Sequence, residues 1–313
     1  MNSLAYTSYA NMDLDEVDLA DMTCLVPCFE PWDALVRSIA CHGLINLPVV
    51  RPLENGRYVP VLGRRRLAAA AGLAWTRVPV RRVSPDLSEA DCFALAFWDN
   101  VSHRRLDTAL TAYLTARLLD LISRERVVAE FLPALGISVT GPRLDRLRAV
   151  GKLDLGILEA MSHGRILDKT AYLLAGLDNA DRALVIDLAA KLGLNANKTA
   201  ELTENLVDLS IFHDRPLAEL VADPDGGRIL HDPDLASPER ASRFRELIRS
   251  WKFPELAAKE KEFRAWVKTL PLSGKVSVRP TQAFEDQRCT VEIRADSWQE
   301  AEQIVKAIVR AAN

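Results

Sequence analysis

Val59-Pro60-Val61-Leu62-Gly63-Arg64-Arg65-Arg66-Leu67-Ala68-Ala69-Ala70-Ala71-Gly72 is the stretch whose reading decides the fold. It predicts a short strand, a glycine, three arginines and a small-residue helix closed by a second glycine. A glycine after a strand lets the backbone turn sharply and approach a ligand. The helix that follows presents unpaired N–H groups and a partial positive charge at its start. Arg64, Arg65 and Arg66 add forked donors that suit phosphate oxygens. Ala68 to Ala71 are strong helix formers that allow close packing on a sheet, and Gly72 is placed to act as the C-cap. The plainer alternative is a solvated arginine run on a surface helix. Against it, all three cations fall in the first turn, where they oppose the helix dipole. That placement suits a bound anion.

Outward from this stretch, 313 residues are enough for two or three domains, and a hydrophobic fraction of 49% is ample for real cores. A net charge of −3 and a pI near 6.0 exclude a globally basic nucleic-acid binder. The charge is uneven, however. Residues 1–36 hold seven acids and no Lys or Arg, whereas residues 51–82 hold eight arginines and one acid, Glu54. An acidic arm ahead of a basic domain can shield it or remain a soluble tail. The five cysteines are odd in number and scattered, which argues against a disulfide framework. Cys24-x-x-x-Cys28 with His42 lacks a second ligand pair at zinc spacing. The first residues lack the basic and apolar regions of a signal peptide, and no apolar run is long enough to span a bilayer. The expectation is a cytoplasmic protein with no membrane partner.

In chain order, residues 1–20 read as polar and loosely ordered, with residues 1–15 a flexible acidic arm. Val17 to Leu19 and Cys24 to Val26 are short strand candidates. Pro31-Trp32-Asp33 opens a helix that buries Leu35, Val36 and Ile39 and ends at Gly43. Val49 and Val50 begin a strand, Asn55-Gly56 makes a hairpin turn, and Arg57 to Leu62 return. Val78 to Val83 is a further strand, whose Pro79 suits an edge or a strand start. A helix from about Ser88 to Trp98 stops at Asp99-Asn100-Val101-Ser102-His103-Arg104-Arg105. Asp99 and Asn100 are oxygen donors of the kind that hold hydrated Mg²⁺ beside phosphates. His103 and Arg104 could reach phosphates as well. The local alternative is a helix C-terminus decorated with cations.

From Leu106 the texture becomes helical. Thr108–Ser123, a segment from Arg124 to Leu135 bent at Pro133, and Gly141–Val150 outline a helix-turn-helix. The last of these carries Arg143, Arg146 and Arg148, with Lys152 just beyond, and only Asp145 against them. Such donors suit double-stranded DNA; an ordinary basic surface helix is the alternative. Further helices to residue 210 support this motif. Residues 211–313 comprise an Asp/Pro/Gly-rich stretch, a charged helical region from Ser237 to Arg264, two strands (276–279 and 290–294) and an amphipathic helix (297–312). They form a small α/β module or a dimerisation element. The fold class expected is α+β.

Three stretches together resemble the ParB-like family. Gly43-Leu44-Ile45-Asn46-Leu47-Pro48 resembles G-[IL]-[IL]-Q-P, Gly63-Arg64-Arg65-Arg66 resembles G-E-R-R, and Asp99-Asn100-Val101-Ser102-His103 resembles E-N-[IL]-Q-R. Their order and spacing agree from about residue 15 to 105. The resemblance implies a small mixed sheet of the ParB/sulfiredoxin type at residues 16–105. It also implies a helix-turn-helix DNA-binding domain at 106–210, ahead of the C-terminal module at 211–313. It implies a CTP-binding, CTP-hydrolysing DNA clamp or regulator in plasmid or chromosome partition. Such a protein would be nucleoid or plasmid associated, homodimeric, and partnered by a ParA-like ATPase. CTP or another nucleoside triphosphate would be held by Gly43, Asn46, Gly63, Arg64, Arg65, Arg66, Asn100, His103 and Arg104. Asp99 and Asn100 would take Mg²⁺, with Asp99 as the catalytic group. Arg64 stands where the family usually has glutamate, Ser102 and His103 replace Gln and Arg, and Asp99 is one methylene short. With these departures the chain resembles a distinct branch of the family more closely, and for this chain they make nucleotide binding more secure than hydrolysis and DNA association more secure than partition. The other readings are a nucleotide-dependent enzyme of the same fold, either a small-molecule kinase or a ParB-like nuclease, and a module that has lost nucleotide binding.

Overall fold

The structure, a computed structural model, describes residues 6–138, 141–270, 275–281 and 288–312. The chain is α+β and divides into two compact units. The described residues of Met1–Arg182 with Asn195–Ala200 form one, and those of Ala183–Leu194 with Glu201–Asn313 form the other.

The first unit begins with a mixed four-stranded sheet in the order β1-β4-β2-β3. Its strands are β1 (Tyr6–Asp13), β2 (Val49–Pro52), β3 (Tyr58–Leu62) and β4 (Arg77–Val83). β1 runs antiparallel to β4, β2 parallel to β4, and β3 antiparallel to β2. The β2–β3 turn closes as its sequence demands: Gly56 has φ 79° and its N–H reaches the Leu53 carbonyl at 3.1 Å. Alternation sends successive valines to opposite faces. Val50, Val78 and Val80 pack on Leu67 and Ala70 of α2 (Arg64–Gly72). Val49, Val61 and Val83 pack on Cys92 and Ala96 of α3 (Glu89–His103). Helix α1 (Asp33–His42) ends at Gly43, φ 71°; Ile39 is its buried residue, while Leu35 and Val36 are half-buried. The Ser88 hydroxyl caps α3 by accepting the Asp91 N–H.

Three sequence expectations are corrected here. Tyr6–Asp13 is a paired strand, from Tyr6 opposite Val83 to Asp13 opposite Arg77, where a loosely ordered arm was expected; residues 1–5 of that expected arm lie outside the described residues. The strand's order comes from β4, whose open edge needs backbone partners that the local composition does not reveal. Pro79 lies in an interior strand. It is tolerated because β2 pairs with β4 only at Arg81 and Arg82, so the proline faces no β2 acceptor. Gly72 lies inside α2; the cap is Leu73, and Ala74 takes the left-handed conformation at φ 59°.

The same unit continues as helices. α4 (Thr108–Leu121) is followed by α5 (Arg124–Arg126), a π turn (Val127–Phe131) and a 3₁₀ turn (Pro133–Leu135). Then come α6 (Pro142–Gly151), α7 (Leu155–Ser162) and α8 (Asp168–Ala175). Phe93 and Phe97 of α3 pack with Leu114, Leu118, Phe131 and Leu144, so α3 serves both the sheet and the helices. Phe97 meets Phe131 edge-on at 5.1 Å. α6 lies so close to α4 that a Cβ on Gly151 would sit 2.0 Å from the Ala112 carbonyl oxygen.

Helices α9 (Asn179–Lys191) and α10 (Ala196–His213) contribute residues to both units. The second unit continues with α11 (Leu217–Val221), α12 (Pro224–Leu230), α13 (Ser237–Lys252) and α14 (Pro254–Thr269). It ends with the hairpin β5 (Val276–Pro280) and β6 (Cys289–Ile293), and α15 (Trp298–Ala312). The charged helical region is thus two helices, divided at Phe253-Pro254, and Arg249 of the first pairs with Glu260 of the second at 2.8 Å. The acidic Asp223–Gly227 stretch is a helix start: Asp223 accepts the Asp225 N–H at 3.0 Å. Among the described residues no helix is long and apolar enough to cross a membrane.

Candidate functional site

The start of α2 is built as the sequence predicts. Gly63 is left-handed (φ 78°, ψ 26°) and no side chain caps the helix. The first helical bonds run from the Arg66 and Leu67 N–H groups to the Gly63 carbonyl, at 2.9 and 3.1 Å. The N–H groups of Arg64 and Arg65 therefore point outward with no acceptor among the described residues. They open into a cleft of about 1040 Å³, the top of the range of small-molecule sites. Its walls include Gly63 to Arg66, Gly43 to Asn46, Asp99, Asn100, Arg104 and Trp32. Sequence positions far apart are thus gathered into one cavity.

The three arginines divide the work. Arg64 donates to the carbonyls of Leu19 and Asp21. Arg65 donates to the Cys28 sulfur and to the Glu30 and Pro31 carbonyls, the latter two at 3.2 and 3.3 Å. Arg66 donates through Nη1 to the Asn46 carbonyl and lies flat over Gly63, where a Cβ would sit 2.9 Å from Nε. Gly63 is therefore required twice, for its positive φ and for the room it leaves. Burial pulls the Arg66 guanidinium below its usual value, and the charge of the Asp99 carboxylate partly offsets this. A half-buried cation whose remaining donors meet no acceptor among the described residues suits an anionic guest.

Asp99, also on the cleft lining, is exposed at the end of α3. Asn100 is committed within the protein: its Nδ2 donates to the Ala96 carbonyl and its Oδ1 accepts from Arg104, both at 2.8 Å. Arg104 also holds the Pro27 carbonyl at 3.0 Å. A metal ion prefers not to share an oxygen with a guanidinium. Asp99 alone therefore fits Mg²⁺, as one carboxylate beside phosphate oxygens, and Asn100 fits as the group that orients Arg104. His103 is exposed and lies off the cleft wall; its Nδ1 and the Ser102 hydroxyl both turn back to the Asp99 carbonyl, as in a helix C-cap. Cys24 is buried against Cys92, and hydrogen bonding to that thiol together with burial pushes Cys24 well above the usual thiol range. Cys28 instead meets Arg65. Among the described residues no three His, Cys, Asp or Glu side chains gather as a metal site.

The sequence reading missed Trp32, Cys28, Glu159 and His163 on the cleft wall. The last two come from α7 and its cap, and no spacing rule links them to the arginine motif.

The helix-turn-helix candidate lies in the same unit. On α6, Arg143 and Arg146 are exposed with no polar partner among the described residues. Arg148 and Lys152 both turn to Asp120 of α4, at 2.6 and 3.1 Å. Asp145, the single acid on α6, is covered by Arg124 at 2.6 Å.

These features define an α+β domain whose arginine-lined cleft is followed by a helical segment on which Arg143 and Arg146 are exposed without a polar partner among the described residues. Residues 29–101 match the ParB N-terminal domain. The nucleoid occlusion protein of Bacillus cereus (strain B4264) is 26% identical over 177 residues, covering 56% of this chain and 59% of that protein. The chain thus spans less than two thirds of the length of these curated relatives. Among solved structures, C-terminally truncated chromosome-partitioning protein ParB from Caulobacter crescentus, complexed to the centromeric parS site, is 17% identical with a TM-score of 0.32. The alignment covers 62% of this chain and 98% of that one. The same protein complexed with CTP-gamma-S is 20% identical with a TM-score of 0.27, over 57% of this chain and 99% of that one.

Proposed function

We propose that this chain is a nucleotide-operated DNA-binding protein of the partition and nucleoid-occlusion type. A nucleoside triphosphate, with CTP first by the motif resemblance, lies in the cleft. Its phosphates meet the free N–H groups of Arg64 and Arg65 and the unengaged donors of Arg66. Asp99 would hold a Mg²⁺, which would supply charge neutralisation for the bound phosphates. Arg143 and Arg146 contact double-stranded DNA, and the acting species is a homodimer on the nucleoid or a plasmid. The observation that carries this reading is the convergence of the Gly63-led helix start, Arg66 and Asp99 on one cleft.

The test is calorimetric titration of the full chain with CTP, ATP and GTP in Mg²⁺. Selective binding is expected, and Arg66→Ala should weaken it roughly 10- to 100-fold, the worth of a charge-assisted hydrogen bond. Undiminished CTP affinity in that variant, or no heat with any nucleotide, would refute the assignment.

A further inference from the structure

Asp18 to Trp32 runs without helix or strand, yet it is firmly held. Six of its carbonyls, those of Leu19, Asp21, Thr23, Pro27, Glu30 and Pro31, accept guanidinium N–H groups. The donors are four arginines: Arg64, Arg65, Arg104 and Arg117. The middle of this strap is anchored independently, because Cys24 and Pro27 are buried. Its two flanks are different. Leu19 and Asp21 are tied by Arg64, and Cys28 to Pro31 by Arg65, which are the first two residues of α2. The acids of the strap, Asp18, Asp21 and Glu30, form no ion pair with these arginines; the neutral carbonyls take their place.

We propose that the two flanks are internal stand-ins for phosphate: a polyphosphate at the α2 N-terminus draws the Arg64 and Arg65 guanidinia off the carbonyls, freeing the flanks while Cys24–Pro27 stays anchored. This rests on the nucleotide reading of the cleft. An ionised phosphate oxygen is a stronger acceptor for a guanidinium than a neutral carbonyl. Its charge also repels Asp21 and Glu30, so the exchange favours release. By linkage, whatever loosens the flanks tightens the ligand by the same factor. The acidic segment thus reports occupancy of the cleft by its own order.

The experiment is hydrogen exchange of the full chain with saturating inorganic tripolyphosphate and, separately, with Mg²⁺ and CTP, binding being followed by calorimetry. The amides of Ala20 and Thr23 are held at 3.0 Å by the side chains of Asp18 and Asp21. They should exchange about tenfold faster with either ligand bound, as expected when about one hydrogen bond's worth of order is lost. The Asp18 amide, held at 2.8 Å by the Tyr58 carbonyl, should not change. Asp21→Ala, which removes the acceptor of Thr23 from outside the cleft, should bind tripolyphosphate roughly threefold more tightly. Asp21→Asn, which keeps the turn, should gain less. Measured binding with unchanged or slowed exchange at Ala20 and Thr23, or unaltered affinity in Asp21→Ala, would overturn the strap and leave the nucleotide reading standing. No heat with either ligand would overturn both.

Discussion

Replacing Gly63 with alanine isolates what the glycine does for the arginine cluster. At φ 78° and ψ 26° the backbone is left-handed. An L residue with a Cβ pays about 1–2 kcal/mol there. The new methyl carbon would also sit 2.9 Å from Nε and Nη2 of Arg66 and 3.0 Å from its Cζ. These atoms are the far end of a flexible side chain, so the clash resolves by swinging the guanidinium away. That movement breaks its bond to the Asn46 carbonyl, worth about 1 kcal/mol net at a half-exposed site. The sum is about 2–3 kcal/mol; at roughly 2–4 °C per kcal/mol for a unit of this size, Tm falls by about 4–12 °C. Scanning calorimetry reads that shift, and CTP titration should show affinity down at least tenfold because Arg66 has left the cleft. Gly72→Ala is the matched control. Gly72 is inside α2 with ordinary φ, and a Cβ there meets nothing within 4 Å. Alanine should be neutral or stabilising by up to about 1 kcal/mol. If Gly63→Ala matched the wild type in both assays, or Gly72→Ala were the more damaging, the account of this motif would be wrong.

Gly151→Ala should destabilise strongly, by about 3 kcal/mol or more, because its Cβ would lie 2.0 Å from a backbone oxygen of α4 that cannot swing aside; a melting curve close to wild type would contradict the tight α4–α6 approach. Arg143→Ala with Arg146→Ala should weaken DNA binding and lower its salt slope by up to about 0.9 per charge removed, measured by fluorescence anisotropy across salt concentrations. An unaltered slope would place the DNA face elsewhere. Asp120→Asn should do the opposite, steepening the slope by releasing Arg148 and Lys152. The same variant tests a pH dependence. Burial raises the Asp120 pKa, but the hydrogen bonds from Arg148 and Lys152 outweigh it and hold the carboxyl below its usual value. A lowered folded pKa contributes stability that is present above the unfolded value, about 3.9, and is lost as the pH falls through the folded one. Wild type should therefore exceed Asp120→Asn in Tm at neutral pH, and the two should converge in acid; a gap that persists below that range would exclude the ion pair as its source.

The parts of the fold written in short-range patterns were legible in the sequence. Alternating valines, Asn55-Gly56, the Gly63 helix start and the Ser88 cap each depend on neighbours within a few residues, and each stands where it was expected. So does the matched ParB N-terminal stretch, whose motifs keep their order along the chain. Which partner each side chain takes was another matter. The sequence placed three arginines on one turn, and only the tertiary structure sent two of them to the carbonyls of residues 19–31 and set Arg66 on the Asn46 carbonyl in the cleft that Asp99 also lines. It likewise showed four basic residues at α6, of which packing on α4 pairs two with Asp120 and leaves two without a polar partner among the described residues. Tyr6–Asp13 became a strand because β4 offered an unpaired edge more than sixty positions away in sequence. The left-handed turn after α2 fell on Ala74, where the chain must reverse into β4, and not on the nearby glycine. Local sequence determines which conformations are cheap. Burial and the need to satisfy every buried donor and acceptor decide which of them the chain adopts, and those demands are set by residues that sequence spacing does not bring together.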